Sequence, residues 1–297
     1  MVGKQTRQLG VLFAVQRCGV MTVDPVAISL AVLLPVLVVR EAKRVNGLPG
    51  WPRSVVLTFL FGASIVVPVL VVAIPVFIVV LQIQNPLVAG TLIAFGAAAV
   101  PEEFFKFQVV RRYGSKHIEP LNPRSGMLFG VAASLGFAAI ENVGYASQGG
   151  VSVVLFRCFT AIPMHTALGA IMGYQFARAQ IAFLRPTELS STRPQYNGVA
   201  FNRQLGRAFL WPMLLHGIYD TPAIVVMVPI LRSGKMPTEV GPGVVVAILI
   251  MISCLIGTIM TALRLGRIAA QEQRQCLELL EQQAGDQTEP ISSVITP

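Results

Sequence analysis

The stretch LVAGTLIAFGAAAVPEEFFKFQVVR, residues 87–111, decides the fold. A helix needs roughly 20 predominantly apolar residues to cross the hydrocarbon core. This window is long enough, and it carries Glu102, Glu103 and Lys106 inside it. Ionisable side chains at membrane depth are costly and are usually kept for a task. A local reading competes. Pro101 followed by two acids is also the composition of a helix first turn, where proline fits N1 and carboxylates meet the positive end of the dipole. Adjacent helical positions point about 100° apart, so at most one of the two glutamates faces a central cavity squarely. Lys106, one turn on, can pair with either.

The composition agrees with a membrane setting. The chain is 12% charged and 54% hydrophobic, with a mean hydropathy of +0.68, where a soluble domain is about a quarter charged. Seven windows read as spans: about 23–39, 55–81, 87–111, 125–147, 151–178, 205–231 and 243–264. Pro68 and Pro75 are expected to bend the long second one. The class is therefore all-α, a polytopic transmembrane helical bundle of about seven spans. The net charge of +9 sits in short loops, which is how topology is set, so nucleic acid is excluded as a partner and the bilayer is the expected one.

Basic residues gather on one side, at Arg40 to Arg53, Arg111 to Arg124, Arg178 to Arg207 and Arg264 to Arg274. The other side holds Lys4, Arg7, Arg17, Arg232 and Lys235, and its tight connections 82–86 and 148–150 carry none. That predicts a cytoplasmic C-terminus. The brief apolar stretch Leu9–Val15 predicts no removed signal peptide. Residues 1–265 read as a membrane domain; residues 266–297 read as a cytoplasmic helical extension and a disordered tail from 284. Four scattered cysteines form no C-x-x-C pair, so neither a disulfide framework nor a zinc finger is indicated.

Three further motifs lie within spans. Glu141, in Phe137-x-x-x-Glu141-Asn142, needs a cation, a metal or a proton, or is a protonated structural glutamate. Asn142 suits a donor to an oxyanion and equally a link between helices. His165 heads the stripe His165, Gly169, Gly173, where small residues admit a neighbouring helix closely, so it faces protein. His216 and Asp220 share a helical face and suit two metal ligands, an imidazole oriented by its carboxylate, or a proton relay. The face Gly126, Gly130, Ser134 fits tight packing around them. Prolines 101, 163, 212 and 222 punctuate the motifs, and broken helices are tolerated where they line a wet cavity. His117 reads as solvated and Ser64 as ordinary packing; no H-E-x-x-H helix is present.

Taken in order, Glu102-Glu103-Phe-Phe-Lys106, Phe137-Ala-Ala-Ile-Glu141-Asn142, Met164-His165 with Gly169 and Gly173, and His216-Gly-Ile-Tyr-Asp220 resemble the PrsW family. The wider group contains CAAX-type prenyl endopeptidases and bacteriocin-processing enzymes. The resemblance spans roughly residues 87–224. It implies an intramembrane endopeptidase of the bacterial plasma membrane, cleaving a membrane-anchored protein such as an anti-sigma factor in regulated intramembrane proteolysis. By motif, Glu102 and Glu103 match paired catalytic glutamates and Lys106 the basic residue beside them. Glu141 stands where prenyl endopeptidases carry histidine, and Asp220 where asparagine can stand.

The resulting expectation is that Glu141, His165, His216 and Asp220 hold a divalent ion, zinc for preference. Glu102 takes the water's proton, Glu103 and Lys106 tune it, and Asn142 or the metal meets the oxyanion. An ion-coupled transporter or channel, or a non-catalytic membrane scaffold, would also place such residues in spans. The lack of an internal repeat speaks against a transporter.

Overall fold

The computed structural model describes residues 24–46, 52–119, 122–184, 198–234 and 241–286. The expectations for Leu9–Val15 and for the tail beyond Asp286 lie outside them. Each described segment is helical, and six stretches are long and apolar enough to cross a membrane. Helix α1 is Pro25–Val45, capped by the Asp24 carboxylate on the Val26 and Ala27 amides. Helices α2 (Arg53–Ser64) and α3 (Val66–Val80) form one rod that breaks at Ile65. Pro68 explains the break, because it cannot donate to the Ser64 carbonyl and its ring crowds that oxygen.

The deciding stretch forms a single rod: α4 (Pro86–Leu92), a π-helical segment Ile93–Ala99, and α5 (Val100–Arg112). Pro101 has no amide hydrogen for the Ala97 carbonyl, and the wider turns leading into it absorb the mismatch. Such π turns occur often at functional sites. The first-turn reading of Pro101 is thus half right, since α5 begins at Val100 but continues a helix already running.

Helix α6 runs Pro123–Phe159 but reverses at Gly150, whose φ of 61° is open to glycine and strained for other residues. Arg157 beyond the turn contacts Asn142 before it. A straight helix would hold residues fifteen apart at roughly 22 Å. The windows 125–147 and 151–178 are therefore separate antiparallel rods with a tight turn at 148–150, as the sequence places them. The second rod is interrupted at Thr160 and continues as α7 (Ala161–Leu184). Counted this way the described residues form seven rods. Helix α8 (Gly198–Ser233) holds three prolines, and α9 (Pro242–Asp286) continues beyond residue 264.

Helix α7 and the first part of α6 are the most buried and form the centre. Their small-residue faces meet. A Cβ on Gly130 would stand 2.0 Å from the Gly169 carbonyl oxygen, and one on Gly173 2.0 Å from that of Gly126. Backbones this close exclude any side chain and hold Glu141 and His165 on facing rods. Outside, Val67, Val71, Phe156 and Leu249 are exposed, as lipid-facing residues should be.

The helix ends fall on two faces. Arg232 binds the carbonyls of Leu81, Ile83 and Gln84, so the end of α8 and the 82–86 turn share one face. Arg124 binds the Val45 carbonyl, Gln180 that of Ser115, and Arg178 pairs with Glu272 on the other.

Candidate active site

Four rods bring the ionisable residues to one point. Helix α5, which follows the π turns, presents Glu102, Glu103 and Lys106. All three are buried, Glu103 and Lys106 completely. Lys106 Nζ lies 2.8 Å from Glu103 Oε1, 3.1 Å from Glu102 Oε2 and 3.2 Å from His165 Nδ1. It also stands 4.3 Å from the Phe137 ring centroid, a further favourable contact for a desolvated ammonium.

The His165 tautomer follows from its neighbours. An ammonium has donors only, so Nδ1 accepts and Nε2–H donates to Glu141 Oε2 at 3.1 Å. The ring is further held edge-on by Phe137 and His216, with centroids 5.9 and 5.5 Å away. His216 is flanked by carboxylates. Its Nδ1–H donates to Glu103 Oε1 at 2.9 Å, and its Nε2 stands 3.3 Å from Asp220 and 3.9 Å from Glu102.

Glu141 has its cation. Arg157, which the sequence reading passed over, donates through Nη2 to Glu141 at 2.6 Å and through Nε to Asn142 Oδ1 at 2.5 Å. Its guanidinium stacks on Tyr145, 3.9 Å from the ring centroid. A guanidinium cannot accept, so the Asn142 oxygen must face it and Nδ2 points elsewhere. The signal was present: Arg157 is the lone charge between Glu141 and Arg178, and the cost that singled out the acids applies to it equally.

All eight residues singled out from the sequence thus meet: Glu102, Glu103, Lys106, His165, His216 and Asp220 in direct contact, Glu141 through His165, and Asn142 through Arg157. The weaker candidates lie apart. Ser64 is exposed and bonds its own helix at Phe61, and His117 is exposed against Tyr113 and Phe129.

Two buried polar atoms here have no partner among the described residues, Glu103 Oε2 and Asn142 Nδ2. One ligand atom from each of Glu102, Glu103 and His165 lies within 4.8 Å of the others, so these three could hold one ion.

The sequence profile of PrsW family intramembrane metalloproteases matches residues 51–264, a span that contains every residue of this cluster. The chain belongs to the PrsW family. It is 32% identical over 170 residues to Protease PrsW of Geobacillus kaustophilus, covering 57% of this chain and 67% of that one. It is 34% identical over 166 residues to Protease PrsW of Halalkalibacterium halodurans (56% and 68%) and 25% over 168 to that of Bacillus subtilis (57% and 68%). No solved structure matches. Membership makes this PrsW-family chain an intramembrane peptidase, with a protein as its substrate and the bilayer as its setting. The transporter reading falls away.

Proposed function

We propose that this PrsW-family protein is a metal-dependent endopeptidase that cuts a single-span, membrane-anchored protein, of which an anti-sigma factor is the type. The observation that carries the metal is one of charge. Four carboxylates, Glu102, Glu103, Glu141 and Asp220, face two permanent cations, Lys106 and Arg157, in one buried cluster. With both histidines neutral two negative charges remain, which is the charge of one divalent ion, and uncompensated charge at this depth is prohibitive. The unpartnered Glu103 Oε2 is a fully buried oxygen of the kind a cation satisfies.

Glu102, Glu103 and His165 Nδ1, which now contact Lys106 Nζ, would hold the ion with the ammonium displaced from between them, and zinc is the first choice for a mixed carboxylate and imidazole set. When bound, such an ion supplies Lewis acidity, lowering the pKa of water and polarising the scissile carbonyl. Glu141 orients His165 through Nε2–H, the carboxylate–histidine arrangement that fixes ligand rings, and Arg157 holds Glu141 in turn. His216, between Glu103 and Asp220, takes the water's proton and returns it to the departing amine. This moves His216 and Asp220 from ion binding to proton transfer, because both ring nitrogens already face carboxylates, and it moves Glu102 from proton transfer to ion binding. Asn142 Nδ2 is the free donor for the developing oxyanion.

Glu141 and Asp220, with side chains 22% and 24% exposed, mark the open edge of a cluster otherwise nearly sealed. The substrate enters there with its helix locally unwound. The basic helix ends support a cytoplasmic C-terminus in a bacterial plasma membrane.

The test is co-expression of the chain with single-span reporter proteins, wild type against Glu102→Ala, read as shortened fragments on immunoblots. Fragments with the wild type alone support the reading; identical patterns reject it. Arg157→Gln should lower kcat by about 10- to 100-fold, the usual cost of losing an outer support of a site. KM should stay nearly unchanged, and Arg157→Lys should recover part of the rate.

A further inference from the structure

An open groove of about 730 Å³ lies between α1, α6, α7 and α9, lined mostly by apolar side chains. Ile162, Pro163, Thr166 and Ala170 form its α7 wall. These positions are centred roughly 115° around the helix from His165. The groove therefore backs the helix that presents His165, starting just past the Thr160 interruption. At its mouth stand Arg124, at the start of α6, and Arg267 of α9. Arg124 reaches the end of α1 at the Val45 carbonyl, and Gly266 lies against Met127, one turn from Arg124.

An open apolar groove this large is covered rather than left bare, because apolar walls without partner atoms forfeit packing. Nor will it fill with water, since apolar walls offer no hydrogen-bond partners. In a bilayer the abundant apolar filler is an acyl chain. Two arginines at the mouth then select the headgroup, as basic pockets between transmembrane helices select anionic lipid.

We propose that this groove binds an anionic phospholipid, one acyl chain along α7 and the phosphate between Arg124 and Arg267, and that the lipid buttresses the His165 helix from behind. The inference stands apart from the metal and substrate assignments, and its test reads binding rather than cleavage.

The experiment titrates the delipidated full chain in detergent with dioleoyl phosphatidylglycerol or dioleoyl phosphatidylcholine, scoring retained lipid by native mass spectrometry and unfolding temperature in parallel. A basic side chain near anionic lipid is worth about fivefold in affinity. The wild type should favour phosphatidylglycerol by about 25-fold, Arg267→Gln by about fivefold, and Arg124→Gln/Arg267→Gln not at all. Ala170→Leu, which narrows the groove, should weaken both lipids. Phosphatidylglycerol should raise the unfolding temperature of the wild type above its value in phosphatidylcholine, and not that of the double variant. Equal binding of both lipids by the wild type would overturn the proposal, as would a preference that survives in Arg267→Gln undiminished. Because Arg124 also ties down α1, Arg267→Gln decides should the double variant fail to fold.

Discussion

Glu103→Gln should cut cleavage by roughly a thousandfold, near the upper range for loss of a central charged group in a site of this kind. The side chain is fully buried, and one of its oxygens accepts from both Lys106 and His216. A glutamine keeps the shape and can keep one oxygen between those donors. Its amide nitrogen then occupies the place of Oε2, adding a donor where no acceptor stands and removing the charge that would attract an ion. Lys106 is left with Glu102 as its only carboxylate, in a setting where an underpaired ammonium costs several kcal/mol (order of magnitude). Cleavage of a single-span reporter by purified protein in proteoliposomes measures the effect, with the unfolding temperature as the control for folding. Activity above about a tenth of wild type would remove Glu103 from the mechanism; Glu141→Gln, one step out, should lose only 10- to 100-fold.

Why the fold was legible and parts of the site were not follows from what each depends on. Spans are set by runs of apolar residues against the thickness of the bilayer, a one-dimensional quantity, so the windows 87–111 and 205–231 needed no tertiary information. The tight turn at 148–150 was visible as a gap between windows, and Gly150 supplies the conformation it requires. The meeting of Gly126 and Gly130 with Gly173 and Gly169 could be expected from spacing alone, because small residues four apart leave a groove. Arg157 was harder. Its window was read for length and hydropathy, and one cation in a long apolar run changes neither. That it answers Glu141 depends on the reversal bringing residue 157 back beside residue 142. The π segment before Pro101 was also hidden, since sequence shows where proline withdraws a donor but not how the helix absorbs the loss.

Removing divalent metal should abolish cleavage and lower the unfolding temperature, and restoring zinc should reverse both. An ion that binds only the folded chain stabilises it by mass action, about 2.7 kcal/mol at a hundredfold excess over Kd. The thermal shift therefore reports the site even without a substrate. Glu103→Gln and His165→Ala should lose the shift, because each removes a proposed ligand. Asp220→Asn should keep it while losing activity, because Asp220 serves His216 rather than the ion. That pairing separates the two halves of the mechanism. Lowering the pH should weaken the ion's hold, since carboxylate and imidazole ligands must be deprotonated to bind it. The opposite result has a definite meaning. Lys106 Nζ lies within 3.2 Å of all three proposed ligands, at the focus where an ion would sit. Full activity after exhaustive chelation, with no thermal shift on adding zinc, would give that place to the ammonium. The Glu102–Glu103 pair would then act on water directly, with protons in place of the missing charge.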